Sequence, residues 1–276
     1  MFTNLEGQGE PPCPSPPVAH LAPAPGELPV HVAAAIWRGN ELGSSVTQVI
    51  PTGWDELDQE LPGGGWPCHA ITEVLQAQPS LGEWRLLGPM LKAVVAAGKT
   101  IVVIGPAKRP HLPGLRRMGL DEHHLIWIQA EAPAERLWVT EQLVKSNACG
   151  ALISWLPQAR PEQIRRLQIC AQICDGPVFL CRPAAAEHEA SAAPLRVQLR
   201  LDLDWALKLQ ILKRKGPAHE QTLRLPSVPG GLQAIITPRL QKPSIIISSR
   251  QERRAVPNVV GSVVDRQSVQ RRVPAH

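Results

Sequence analysis

Residues 70–97 lay out the parts of a phosphate-binding loop without its chemistry. A short apolar strand candidate, Ala70–Leu75, leads into Gln76-Ala77-Gln78-Pro79-Ser80-Leu81-Gly82-Glu83-Trp84, and Glu83–Ala97 has helical spacing. Backbone N–H groups at such a strand-to-helix junction can surround phosphate oxygens. They need a first glycine, a second one five residues on, then a lysine for the phosphates and a Ser/Thr hydroxyl for Mg²⁺. Of these only Gly82 is present; Glu83 stands at the lysine position and Trp84 at the hydroxyl position. A carboxyl group would meet a triphosphate where an ammonium is required. The pattern predicts a degenerate phosphate loop, no cofactor and no catalysis.

Other chemistries are no better supplied. Of the six cysteines, Cys170 and Cys174 would share a helix face with Cys181 nearby. No fourth ligand stands at a familiar spacing, so reduced thiols packed in the core, with no metal, are expected. Nine histidines form no metal-spaced set, His123-His124 reads as surface, and Ser154 lies in a buried strand candidate without a base.

The elements that must position these residues alternate. Apolar runs at Ala70–Leu75, Thr100–Ile104, Leu125–Ile128, Ala151–Trp155 and Val178–Cys181 read as strands. Between them lie helix candidates at Glu83–Ala97, Leu112–Met118, Ala134–Ser146 and Pro161–Cys174, the first with Pro89 inside it. Strands separated by single helices predict right-handed crossovers and an α/β fold, a mainly parallel sheet with helices on both faces. After Cys181 the pattern changes. Leu195, Val197, Leu199, Leu201 and Leu203 alternate with polar residues, and so do Leu207, Leu209 and Ile211, predicting strands with one wet face turned near Asp204-Trp205. They would form a C-terminal antiparallel extension, closed by a short strand at Thr222–Leu225. The Ala-rich stretch Pro183–Pro194 between the two regions reads as a surface loop.

Both ends differ from this body. Residues 1–29 form a Pro-rich arm, read as disordered. Residues 30–48 hold a short helix candidate with a linker, 49–237 the core, and 238–276 a basic tail read as disordered. Residues 241–276 carry seven basic residues against Glu252 and Asp265; seven minus two is the whole net charge of +5. The body is therefore neutral. Candidates for contact with nucleic-acid phosphates are Lys108, Arg109, Lys213, Arg214 and Lys215, with Arg253, Arg254, Arg271 and Arg272 in the tail. Of the eight tryptophans, Trp54, Trp66, Trp84, Trp127, Trp138, Trp155 and Trp205 belong to the body, where burial is the default. Trp37, with Arg38, stands outside it as a partner-binding candidate. No apolar run reaches membrane-spanning length, and the N-terminus lacks the basic-then-apolar order of a signal peptide, so a cytoplasmic protein without membrane contact is expected.

Several separated motifs resemble the RecA core in register. These are Thr52-Gly53 with Leu57-Asp58, Leu61-Pro62-Gly63-Gly64-Gly65-Trp66-Pro67 leading to Thr72-Glu73, Gly98-Lys99-Thr100, Leu115 to Gly119-Leu120-Asp121, and Glu141-Gln142-Leu143 to Ser146. The Leu-Pro-Gly-Gly-Gly-Trp-Pro run, Ile36-Trp37-Arg38 and Lys213-Arg214-Lys215-Gly216-Pro217 resemble the ImuA family, RecA-related factors encoded with an error-prone polymerase cassette. The likeness covers roughly residues 30–228. It implies a RecA-like P-loop NTPase fold and places Ala107 at or near the position of the water-activating glutamate. Trp155 falls where a Mg²⁺-shell aspartate belongs. It also sets the Pro183–Pro194 stretch, with Glu187 and Glu189 and no basic residue, where RecA carries a mobile DNA-gripping loop.

With Glu83, Ala107 and Trp155 at those positions, the resemblance implies a non-enzyme that works by association. Its role would be that of an adaptor in SOS-induced translesion DNA synthesis. The partners implied are RecA, an ImuB-type polymerase-like protein and an error-prone DNA polymerase, with single-stranded DNA as a further candidate. Two alternatives stay open. Leu86 to Arg182-Pro183 also resembles the cell-division inhibitor SulA, which binds FtsZ, although the Gly-rich approach and the strands at 195–213 extend beyond that short protein. The other is a DNA-dependent ATPase with an atypical phosphate site.

Overall fold

Apolar runs without a polar face become the interior of one sheet. In the computed structural model, which describes residues 48–79, 82–228, 232, 235–244 and 247, the strands are β1 Val49–Ile50, β2 Trp66–Pro67, β3 Ile71–Gln76, β4 Ile101–Ile104 and β5 Leu125–Ile128. They continue as β6 Ala151–Trp155, β7 Val178–Pro183, β8 Leu195–Leu201, β9 Ala206–Lys213 and β10 Thr222–Pro226. β1 and β2 form a small antiparallel pair, and the other eight form one sheet in the order β10-β9-β8-β3-β7-β6-β4-β5. Every pairing from β8 through β5 is parallel; β9 is antiparallel to both β8 and β10. The α/β expectation is met. The alternating strands are not an appendage, however, because β8 pairs directly with β3 at the middle of the sheet.

The helices are α1 Asp55–Glu60, α2 Glu83–Ala96, α3 Leu112–Arg117, α4 Pro133–Ser146, α5 Pro161–Ala171 and α6 Pro238–Gln241. Strand residues alternate between two cores. Val74, Val103, Ile153 and Phe179 pack with Leu86, Leu87, Met90 and Leu91 of α2, whereas Ile71, Val102, Leu152 and Leu180 pack with Leu137 and Val144 of α4 and Ile164 and Leu167 of α5. Three helices, α4, α5 and α6, start on a proline, whose missing N–H costs nothing at the first turn. Pro89 does not shift the start of α2, which runs unbroken from Glu83. In the turn before it, the Trp54 indole donates to the Leu86 carbonyl at 2.9 Å. α5 stops at Ala171, so Cys174 lies beyond it and shares no helix face with Cys170.

The turn between β8 and β9 puts both Asp204 and Trp205 in the left-handed region, at φ 60° and 59°. That matches a two-residue hairpin turn, but a tryptophan accepts this backbone only under constraint. Three bonds supply it: Arg85 and the Ser227 N–H donate to the Trp205 carbonyl at 2.6 and 2.9 Å, and its indole donates to the Leu240 carbonyl at 2.8 Å. Leu240 belongs to α6, and Ser244 hydrogen-bonds Asp204 through its N–H and hydroxyl. Leu240 and Ser244, within the expected tail, are therefore tied to the hairpin.

Candidate functional site

β3, β7, β6 and β4 all end at one edge, and the chain leaving β3 passes to β4, three places away. Ligand sites in open α/β sheets form outside the carboxyl ends of strands where neighbours diverge in this way. Gln76 ends β3, Trp155 ends β6, Arg182-Pro183 end β7, and Ala107 lies exposed in the loop after β4.

Glu83 opens α2 and is fully buried. One carboxyl oxygen accepts from the Trp155 indole N–H at 3.0 Å and the other from the Gly82 N–H at 3.2 Å. The Trp84 ring lies 6.2 Å from that of Trp155 at 34°. Residues aligned by resemblance with a phosphate lysine and a metal-shell aspartate thus hold each other. The backbone N–H of Gly82, a donor of the kind that would meet a phosphate, is taken by the neighbouring acid. Gly82 also has a packing reason to be glycine, since a Cβ there would stand 2.6 Å from Leu199 Cδ2 on β8.

Among the described residues, one cavity at this edge, of about 100 Å³, is lined by Gln76, Ala107, Arg136, Trp155, Pro157 and Arg182, among others. Sites for nucleotide-sized ligands run to roughly 300–1,000 Å³. Arg136 lies across Gly105, where a Cβ would come within 2.5 Å of its Nε, and that Nε donates to the Ala130 carbonyl at 2.7 Å.

Beside the cavity is a charged network that pattern reading missed. Glu73, in the middle of β3, accepts from Arg182 of β7 at 3.0 Å and from Arg196 of β8 at 2.6 Å, all three nearly or fully buried. Arg182 also donates to the Ala159 carbonyl and to Glu189, both at 2.7 Å. Arg196 reaches the Ala186 and Glu187 carbonyls at 2.6 and 3.2 Å, and Gln198 donates to the Glu187 carboxylate at 2.6 Å. This corrects two expectations. The polar face of β8 is covered at Arg196 and Gln198, which are buried, and wet only at Arg200; and Pro183–Pro194 is not simply a surface loop, because Ala186 and Ala193 are fully buried and its acids hold it to the sheet. A usable signal existed in Glu73 itself, a lone charge inside an apolar strand, which must have a partner to be there.

Among the described residues Cys68, Cys149, Cys174 and Cys181 are buried free thiols and Cys170 is half-buried. Burial first, then the neighbouring Cys174, pushes Cys68 up to about 11 and Cys149 to about 12. Burial likewise pushes Cys181 well up, with the Glu83 carboxyl adding to it. Tryptophan burial fails at two positions: Trp138 is 62% exposed and Trp127, on edge strand β5, is 38% exposed. The Arg109 guanidinium lies 5.7 Å over the Trp127 ring, a cation–π arrangement at the rim.

The basic candidates do not converge. Lys108 and Arg109 follow β4 at the carboxyl edge, while Lys213 ends β9, which runs the other way and so finishes at the opposite edge. Five strand spacings, roughly 24 Å, separate β4 from β9 in the sheet order. Lys213 donates to the Ser191 carbonyl at 2.8 Å, and Arg214 is tied to the Glu60 carboxylate at 3.1 Å and the Pro217 carbonyl at 2.8 Å. Lys215 is exposed and makes no such bond among the described residues. Trp37, Arg38, Arg253, Arg254, Arg271 and Arg272 lie outside the described residues. Among the described residues no helix is long and apolar enough to cross a membrane.

Fold and edge define an α/β protein with a mostly parallel eight-stranded sheet whose ligand edge is filled by its own side chains. No protein-family model matches the chain. A stretch of 115 residues is 28% identical to Protein RecA 1 of Myxococcus xanthus, covering 42% of this chain and 33% of that relative. The match thus spans about one third of the relative's length, and it supports a RecA-like relationship, with which the sheet is compatible.

Proposed function

We propose that this chain is a non-catalytic RecA-like adaptor whose phosphate loop is degenerate. It acts in the cytoplasm in SOS-induced translesion DNA synthesis, linking RecA and an ImuB-type polymerase-like protein to an error-prone DNA polymerase. The observation that carries the loss of ATP chemistry is the buried hydrogen bond between Glu83 and Trp155. A triphosphate would need cationic and metal-binding groups there, aimed at charge developing on phosphoryl oxygens. What stands there is an acid closed on an indole, beside a cavity too small for a nucleotide. Support for the adaptor role comes from the RecA-like relationship and from the ImuA resemblance of residues 30–228, and Trp37 with Arg38 supplies the candidate partner anchor.

The test is an affinity pull-down with the full chain from DNA-damaged cells, repeated with Trp37→Ala. Recovery of RecA and polymerase subunits, weakened by the substitution, is expected. Recovery of FtsZ in their place would contradict the reading and favour a cell-division inhibitor.

A further inference from the structure

The two edges of the sheet are guarded differently. β10 carries Arg224, ends on Pro226 and has α1 against it. β5, Leu125-Ile126-Trp127-Ile128, contains no proline, no charge and no bulge, the devices that keep edge strands from pairing. It is also open on both faces. Ile126, on the face shared with α4 and α5, is 50% exposed; Trp127, on the α2 face, is 38% exposed even with Arg109 over its ring. We propose that β5 is a self-association edge, on which a second copy of this chain lays its own β5 antiparallel across a two-fold axis.

The backbone says where that axis falls. The Ile128 carbonyl accepts from the Gly105 N–H at 3.0 Å, so Ile128 turns its peptide groups toward β4, and in a parallel ladder Ile126 does the same. Leu125, Trp127 and Gln129 therefore turn theirs outward. The Leu125 N–H is taken by the Glu122 carbonyl of the preceding 3₁₀ turn. What the outer side offers is the Trp127 N–H and carbonyl, the Leu125 carbonyl and the Gln129 N–H. A two-fold through Trp127 makes this set complement itself: the two Trp127 residues exchange both bonds, and each Gln129 N–H donates to the Leu125 carbonyl of the other copy. Side chains match in the same register. Trp127 meets Trp127 on one face, and Ile126 meets Ile128 on the other. Past the strand ends, the exposed His123 of one copy comes toward the exposed Glu131 of the other, an imidazole against a carboxylate. A two-fold through Ile126 makes fewer bonds, and one through Ile128 sets Trp127 against Gln129. So short a pairing lies at the small end of specific interfaces, below roughly 1,200 Å², which implies a Kd on the order of 10–100 μM. The edge does not depend on the adaptor reading, and each stands if the other fails.

The probe is the ¹⁵N-labelled full chain itself, followed from about tenfold below to about tenfold above that Kd. Sedimentation velocity reads the mass, and amide hydrogen exchange by NMR reads the edge. At the top of the range about four-fifths of the chain is dimeric by mass action. Exchange at the Trp127 and Gln129 amides should then be about fivefold slower than at the bottom. The Ile126 and Ile128 amides, already bonded to β4, should change less than about twofold. Ile126→Lys should weaken association at least about tenfold by charging the edge; Leu203→Lys, at the equally exposed hairpin, should leave it unchanged. A chain that stays monomeric throughout, a dimer indifferent to Ile126→Lys, or a dimer without slowing at Trp127 would overturn the proposal. Monomer throughout, with Ile126→Lys lowering recovery of RecA or a polymerase subunit in the pull-down, would give the edge to a partner's strand instead. The exchange readout needs no variant, so the test holds if Ile126→Lys does not fold.

Discussion

Glu73→Gln should be among the most damaging single-atom changes in this chain. The glutamate is fully buried and serves two guanidinium groups whose side chains are 1% and 8% exposed, at 3.0 and 2.6 Å. The amide keeps the shape but can accept from only one arginine, and its NH₂ turns a donor toward the other. Breaking a buried ion pair by removing one partner typically costs about 3–5 kcal/mol, because the remaining charge cannot reach water. For a domain of this size each kcal/mol moves Tm by roughly 2–4 °C, so a fall of roughly 6–20 °C is expected. Urea unfolding followed by circular dichroism measures it, with Glu189→Gln as the internal comparison. Glu189 meets the same Arg182 but is 47% exposed, and should cost under about 1 kcal/mol. Equal losses in the two variants, or a Glu73→Gln loss below about 1 kcal/mol, would refute the claim that β3, β7 and β8 are joined by a desolvated charge network.

Two further predictions concern packing and pH. Gly82→Ala should destabilise the chain by about 1–3 kcal/mol, because its Cβ would meet Leu199 Cδ2 at 2.6 Å; Leu199→Ala in the same chain should recover part of the loss, and absence of recovery in urea melts would place the strain elsewhere. Glu141 is held below the usual glutamate range, first by the hydrogen bond from Lys145 and also by Arg166. Since its folded value is the depressed one, its contribution is fully present above the usual glutamate range and fades as pH falls through the folded value. Glu141→Gln should therefore lower stability at pH 7 and flatten its fall in acid, and Tm curves with parallel acid limbs in both proteins would contradict this.

What could be read from sequence and what could not divide along physical lines. Strands β3, β4, β6 and β7 were legible because burial on both faces demands unbroken apolar runs, and the β8–β9 hairpin because alternation has period two. Alternation does not say what covers the polar face, however. Arg196 and Gln198 look like a wet surface in sequence, whereas a carboxylate 123 residues away and a turn of 3₁₀ helix cover them. The placement of β8 beside β3 is likewise non-local. At the candidate site, the absence of lysine and hydroxyl after Gly82 was visible at once; that Glu83 and Trp155 bond each other across 72 residues was not. Trp127 and Trp138 were expected inside on residue type alone, but an edge strand and an outer helix face left them exposed.

The central claim is association without ATP, and calorimetric titration of the full chain with ATP and Mg²⁺, with and without single-stranded DNA, tests it most directly. The account predicts no saturable heat for any affinity tighter than roughly 1 mM, because Glu83 and Trp155, which the resemblance aligns with the phosphate and metal groups, are closed on each other by a buried hydrogen bond. Micromolar binding or turnover, abolished by substitutions within residues 76–84, would contradict it.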